Sequence, residues 1–498
     1  MKQRCVIIGA GLGGLSSGVM LAKNGYDVTV LEQHHQIGGC LQCFTRKGTR
    51  FETGMHFIGS ADKGQNLYKL LNYLDVIENI NLERLDSQRY ETFLFKGNKF
   101  EFASGQEAFI EKLSSYFPKE KDNLVRYCNL VSRIAHASSM HSLNLEHNDI
   151  ALSTQYQLCS INEVIDGIFT DEMIKNVICG ENPLFAAESG KTPFSTHAFI
   201  MNFYNQSAHR VIGGSDAIAS SLKSTIESYG GKVLTNKRVT KISCDDTKAT
   251  GVIVNDDEYY NADLIIANIH PSRLIELVDG HLLRSAYRNR INRLPETVGC
   301  FSVYIKFKPN SQPYYNYNIF GYNQMSPWGC ENYDADTWPI GYLYMHLNEQ
   351  HNQKWANSGV ILSYMRYDEV EKWKGSKIGQ RGADYEAFKR EKAEKLIDMV
   401  TKDIPELRGN ISTYYTSTPL TYVDYTGTEK GAMYGVAKDI NLGVAARVQH
   451  KTKIRNLLLT GQNINSHGIL GVIIGSIVTC SELLGENEIL NQIRMHNE

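Results

Sequence analysis

Val6-Ile7-Ile8-Gly9-Ala10-Gly11-Leu12-Gly13-Gly14, followed by an apolar helical pattern from Leu15 to Asn24 and by Gly25, decides the fold. The three leading residues predict a buried parallel strand. The glycines fit G-x-G-x-x-G, and Gly25 predicts the end of the helix. Tyr26 to Leu31 predicts a second strand that ends at Glu32. Each part has a physical task at a dinucleotide. Gly9 permits the tight turn, Gly11 lets the backbone approach a diphosphate, and Gly14 lets the helix lie against the strand. The helix start, with Leu12 and Gly13, offers free N–H groups and a positive dipole end. Glu32 can accept hydrogen bonds from an adenosine ribose.

The residues after Glu32 choose between nicotinamide and flavin. Gln33-His34-His35-Gln36-Ile37-Gly38-Gly39 is followed by Gly48, Phe51-Glu52 and Gly54-Met55-His56. FAD is long, so a second stretch of backbone must run close to it, and glycine allows that approach. This pattern resembles the extended fingerprint of FAD-dependent oxidoreductases, which implies that Gln33, Gly38 and Gly39 touch the cofactor. More narrowly, the chain resembles the family of phytoene desaturases, carotenoid isomerases and retinol saturases. The C-terminal run Thr460-Gly461-Gln462-Asn463 and His467-Gly468-Ile469-Leu470-Gly471-Val472 is most similar to its saturase and isomerase branch. The resemblance implies that Gly461, Gln462, Gly471 and Val472 adjoin the cofactor. It also implies that the helix from Ile469 to Leu484 aims its N-terminus at the flavin pyrimidine, where it would stabilise reduced flavin. The backbone of Val239, in Lys237-Arg238-Val239, is expected against the adenine.

Bulk properties set bounds. The 498 residues, 42% apolar, can bury large cores in two domains. A net charge of −2 argues against a nucleic-acid surface. Met1-Lys2-Gln3-Arg4 leads directly into the first strand, which predicts a cytoplasmic protein without a signal peptide. Apolar runs such as Ile469 to Cys480 are too short to span a bilayer, which leaves room for peripheral membrane contact only. Ten scattered cysteines fit reduced thiols. Cys40-Leu41-Gln42-Cys43 is formally C-x-x-C beside the expected flavin, and reads either as a redox pair or as buried thiols. No metal site is expected.

The expected fold class is α/β, with a Rossmann-like FAD-binding domain assembled from discontinuous segments. Residues 1–60, 205–285 and 440–498 should form it. Residues 61–204 and 286–439 should form an α+β substrate domain, an antiparallel sheet with flanking helices. In the third segment along the chain, Asp216 to Tyr229 predicts a helix with Ser215 as its N-cap. In the fourth, Phe301, Val303 and Ile305 alternate like a strand with one buried face. The aromatic run Tyr314, Tyr315, Tyr317, Phe320, Tyr322, Trp328, Tyr333, Trp338, Tyr342 and Tyr344 fits either a substrate wall or ordinary core.

The resemblance implies an oxidoreductase acting on carbon–carbon double bonds of an apolar polyene or isoprenoid lipid, carotenoid- or retinoid-like, by hydride transfer at flavin N5. Saturation is favoured over desaturation and cis–trans isomerisation. A second G-x-G-x-x-G is absent, so reducing equivalents should come from transiently bound NAD(P)H or another donor. An amine or amino-acid oxidase is one alternative, with Tyr414-Tyr415 as aromatic walls. A non-enzymatic prenyl-lipid carrier of the same fold is another. Saturation needs a proton donor, and His467 and His56 fall in segments expected near the flavin; each reads as a catalytic acid or as a structural histidine.

Overall fold

An all-apolar strand core has to be buried on both faces, and Arg4–Ile8 (β1) sits at the centre of a five-stranded parallel sheet. Asp27–Leu31 (β2), Lys232–Leu234 (β3), Leu264–Ala267 (β4) and Leu457–Leu459 (β5) complete it in the order β3-β2-β1-β4-β5. Every neighbouring pair is parallel. The computed structural model describes residues 2–146, 149–278 and 282–498, with the backbone alone at 444–446. Met1, read as the lead into β1, lies outside the described residues.

Side chains alternate across the sheet. Ile7, Val28, Val30 and Ile266 point to one face, beneath Leu12–Lys23 (α1), Asp216–Ser228 (α2) and Gly468–Leu484 (α3). Val6, Ile8, Leu31, Ile265 and Leu457 point to the other, where an antiparallel meander of Val239–Cys244, Ala249–Val254 and Glu258–Asn261 covers them.

A second, seven-stranded sheet runs in the order Ile411–Ser417, Gly299–Phe307, Ser358–Met365, Gly341–His346, Asn318–Tyr322, Glu91–Phe95 and Asn98–Phe102. It is not wholly antiparallel as expected, because Asn318–Tyr322 pairs in parallel with Glu91–Phe95. Those strands come from segments far apart in sequence, so no hairpin imposes the opposite direction. Gly299–Phe307 also departs from the expected single buried face. Ser302 and Tyr304 are buried with Phe301, Val303 and Ile305, because the strand lies inside the sheet with layers on both sides. Ala383–Asp403 forms one of the packed helices.

Two further expectations are corrected. Asn66–Tyr73 falls within 61–204, yet its apolar face (Leu67, Leu70, Leu71) joins the core of the parallel sheet and packs on Glu486–Asn497. Ser215 does not cap α2 with its side chain. The Glu52 carboxylate instead accepts from Ser215 N at 2.9 Å, which frees the Ser215 hydroxyl to donate to Leu41 O at 3.0 Å.

Candidate active site

The glycine loop joins β1 to α1 through contacts that only glycine allows. Gly9 holds φ at +94°, and a Cβ there would lie 2.7 Å from Asn268 O. At Gly14 a Cβ would lie 2.1 Å from Gly9 O, so this glycine seats the helix on the turn. At Gly13 it would lie 2.7 Å from Asn268 Oδ1 and 2.9 Å from Gly461 Cα. Asn268, just past β4, donates from Nδ2 to Gly9 O at 3.2 Å and so ties the loop to the end of β4. The first hydrogen bond within α1 is Leu15 N to Gly11 O at 3.0 Å. The N–H groups ahead of it have no acceptor inside the helix and stand at its positive end.

A second backbone pass runs beside this loop. Gly38 N donates to Ala10 O at 2.8 Å, and a Cβ on Gly39 would lie 3.3 Å from Gly11 Cα. Glu32 is buried at the end of β2. Its Oε2 accepts from Ala10 N at 2.9 Å and its Oε1 from His34 N at 3.0 Å. Two backbone donors hold the carboxylate at the mouth of the glycine turn.

These residues open into one cavity of about 830 Å³. Gly9, Gly11, Leu12, Gly13, Glu32, Gln33, Gly38, Gly39 and Val239 line one end. Gly461, Gln462 and Val472 also line it, the last from the first turns of α3. Two expected cofactor residues do not. Gly14 is taken up by packing, and a Cβ on Gly471 would lie 2.6 Å from Ser466 Cβ, so Gly471 lets the preceding loop fold back on α3.

The far end is aromatic, but its rings are not the ones the sequence singled out. Of the run from Tyr314 to Tyr344, only Tyr342 lines the cavity. The others pack in the core or on its edge: Tyr344 meets His346 Nε2 at 2.6 Å, and Trp338 Nε1 donates to Tyr364 O at 2.7 Å. Tyr414 and Tyr415 do not line it either; Tyr414 donates to Glu394 Oε1 and Tyr415 packs on Phe51. The lining rings include Tyr204, Tyr342, Tyr364, Tyr422 and Tyr434, each from a different segment, with Phe57 and Tyr425 besides. Burial raises the pKa of the first five, so they stay protonated. Cys300 Sγ–H donates to the Tyr422 hydroxyl oxygen at 3.2 Å. Apart from Tyr342, nothing in the sequence marks these tyrosines as one wall, because the segments meet only in the folded chain.

His56 lines the cavity. Burial first, and then Arg210, lowers its pKa to about 3. His467 does not line it. Its ring packs tilted against that of Tyr434, 4.5 Å between centroids, and burial followed by Lys438 lowers its pKa to about 3 as well. Neither histidine titrates near neutral pH, contrary to expectation, so neither brings an ionised proton to the site. The two thiols of the C-x-x-C run also part company. Cys40 lines the cavity and Cys43 lies buried 3.9 Å from Ser215 Oγ, both free, with burial pushing each up to about 11.

The family model described as flavin containing amine oxidoreductase matches residues 12–353. The human all-trans-retinol 13,14-reductase is 26% identical over 98% of this chain and 86% of its own length. Prolycopene isomerase 1 of an Oncidium hybrid cultivar is 22% identical over 95% of this chain and 82% of its own. Among solved structures, an oxidoreductase from Methanosarcina mazei superposes with a TM-score of 0.63 at 18% identity, over 95% of this chain and 99% of that one.

Proposed function

Because the chain belongs to the flavin containing amine oxidoreductase family, we propose that it is an FAD-dependent oxidoreductase acting on carbon–carbon double bonds of a polyene lipid, with saturation as the favoured direction. One observation carries this reading. A single cavity runs from the paired glycine loops and Glu32 to a wall of five protonated tyrosines. The residues at the first end suit FAD, since the space that a Cβ would fill at Gly11, Gly13 and Gly39 is left to backbone and ligand. We read this body as a Rossmann-like domain built from 1–60, 205–285 and 440–498, facing a substrate domain of 61–204 and 286–439. Bound FAD supplies the hydride donor and acceptor at flavin N5.

The chain's own groups then divide the remaining work. The start of α1 and the Gly38–Gly39 backbone hold the diphosphate, and Glu32 holds the ribose. The start of α3 supports negative charge on the pyrimidine. The tyrosines exclude water and orient an extended apolar chain by contact area. His56, neutral, can give one hydrogen bond into the cavity, and His467 positions Tyr434 from behind. Transient NAD(P)H would supply electrons. The named polyene reductase and isomerase among the relatives favour this substrate class over an amine.

No helix of the described residues is long and apolar enough to cross a membrane. Peripheral contact with a lipid surface is supported by Ile150–Leu158, whose end residues are 66% and 58% exposed and which packs on Ile440–Ala446 carrying the exposed Leu442. The test of function is direct. The FAD-loaded protein, reduced anaerobically with dithionite, is mixed with a conjugated polyene, and polyene absorbance should fall as oxidised flavin absorbance returns. Flavin that stays reduced while the polyene spectrum is unchanged would reject saturation.

A further inference from the structure

A second cavity, of about 10 Å³, adjoins the large one. Glu52, at the end of Thr49–Glu52, and Ser358, at the start of Ser358–Met365, line it together with His346 and His56. Among the described residues, His56 alone lines both cavities, so it stands between them. A space this small holds about one water, provided that roughly two to four polar groups face it. Such groups are present. Ser358 is 1% exposed and its Oγ has no hydrogen-bond partner, which is uncommon for a buried hydroxyl and calls for a water. Glu52 is buried, and its Oε1 accepts from Ser215 N at 2.9 Å. His346 only closes the wall. Its Nδ1 accepts from Tyr315 N at 3.0 Å, so the neutral ring carries its proton on Nε2, which is spent on the Tyr344 hydroxyl oxygen at 2.6 Å. No group among the described residues hydrogen-bonds the His56 ring, whose main chain is held by Arg210 Nη1 donating to His56 O at 3.3 Å.

Burial raises the Glu52 carboxyl to about 8, so it carries a proton at neutral pH. Saturation brings a hydride from reduced flavin to one carbon of the double bond and needs a proton at the other. Deepening the saturation reading, on which this step rests, we propose that Glu52 supplies that proton, through one water in the small cavity and then through His56. His56 gives its N–H proton to the substrate carbon while its second ring nitrogen takes one from the water, and the water takes one from Glu52. The hydride carries two electrons to the substrate from the flavin, reduced beforehand by a nicotinamide or by dithionite. The Glu52 carboxylate left behind feels the Arg210 cation. After product leaves, a solvent proton enters His56 from the large cavity, and the relay runs backwards to restore Glu52. This route suits a histidine with a low pKa, since His56 is at no stage doubly protonated. His56 is the catalytic residue, and Glu52 and Ser358 are positioning residues that act through it.

The test uses the full FAD-loaded chain in two ways. Without substrate, infrared spectra in heavy water follow deuterium exchange at the Glu52 carboxylic acid, whose band is identified by its loss in Glu52→Gln. His56→Phe should abolish exchange on the timescale of wild type. In the second arm, the dithionite-reduced protein is mixed with a conjugated polyene. Glu52→Gln should slow flavin reoxidation about 10²–10⁴-fold, the usual contribution of a general acid, with polyene affinity unchanged. The wild-type rate should also decline as pH rises through about 8, and the slow Glu52→Gln rate should stay level. Around Glu52, Arg210 is a cation, Asp216 is paired with Arg50, and Cys43, Tyr314, His56 and His346 are neutral over this range. A Glu52 side chain without a carboxylic-acid band at neutral pH overturns the proposal, as does exchange that ignores His56. Near-wild-type reoxidation in Glu52→Gln overturns it too. If exchange depends on His56 while wild type leaves the polyene unchanged, the proton path stands and the saturation reading falls. Should either variant fail to fold or lose FAD, Ser358→Val carries both comparisons, since it fills the room of the water and lies outside the large cavity.

Discussion

The two ends of the cavity are built on different principles. The nucleotide end is made of backbone, and its side chains are mostly absent by design: Gly9, Gly11, Gly13, Gly38, Gly39 and Gly461. The lipid end is made of side chains, five tyrosines from five segments. A backbone cradle tolerates little added bulk, because main chain (Asn268 O at Gly9, Gly461 Cα at Gly13, Gly11 Cα at Gly39) and the Asn268 side chain already stand against it. A side-chain wall tolerates trimming, because each ring contributes contact area that its neighbours partly duplicate.

The sharpest way to break that contrast is Gly13→Val. Its branched side chain would meet Asn268 Oδ1 and Gly461 Cα, so the protein should purify without flavin absorbance even after FAD is added. A yellow variant would mean that the loop is not the cradle. Glu32→Ala comes next. It removes one charge-assisted acceptor and loosens Ala10 N and His34 N, and FAD affinity measured by fluorescence titration should fall about 10- to 100-fold. Unchanged affinity would detach Glu32 from the ribose.

At the other end, Tyr434→Ala should keep FAD and raise KM for the polyene by about tenfold, roughly the worth of one buried ring contact. Tyr344→Phe should do the opposite. It leaves His346 Nε2 without its buried partner and should lower stability by about 1–3 kcal/mol with turnover unchanged. Equal kinetic effects from the two would erase the distinction between wall and core.

The smallest effect on stability is expected at Glu52, between the two bodies. Burial holds its carboxyl up at about 8 in the fold, against 4.5 in the unfolded chain. Between those values the unfolded chain has released a proton that the folded chain keeps, so stability falls as pH rises through the window. The lowered histidines act only below their ordinary value of 6.5. From pH 6.5 to 8, therefore, Glu52 should contribute a loss of up to about 1.4 kcal/mol per pH unit, and Glu52→Gln should remove that share of the slope in chemical denaturation, leaving the share of the raised carboxyls Glu91, Glu181 and Glu331. Parallel pH curves for the two proteins would contradict the buried acid.

The same contrast explains what could be read in advance. G-x-G-x-x-G, the acidic end of β2 and the later Gly38–Gly39 pair are local patterns, all within residues 9–39 of one continuous stretch. The C-terminal loop was legible for the same reason. Tyr204, Tyr364, Tyr422 and Tyr434 were not, since no spacing in the chain relates them. The aromatic run from Tyr314 to Tyr344 drew notice because it is dense, but strands alternate their side chains, and most of those rings turn into the sheet core. The histidines failed as acids for a related reason. Sequence gives their position beside the site, while burial and the charges of Arg210 and Lys438 fix their protonation. Ser215 sat correctly at the start of α2, but its hydroxyl caps no helix N–H and donates to Leu41 O instead.

Asn268 reaches Gly9, Gly13 and Gly461, which lie at opposite ends of the chain. On the ribosome, the first glycine turn emerges long before β5 and Gly461 exist. At ordinary rates of synthesis the gap is roughly 20–90 s. Throughout that time the cradle lacks its closing wall, and once β4 has emerged it lacks its outer neighbour until β5 follows. Loading with cofactor is therefore a late event, and a nascent chain arrested before β5 should emerge colourless, with its apolar sheet edge exposed to whatever chaperone is at hand.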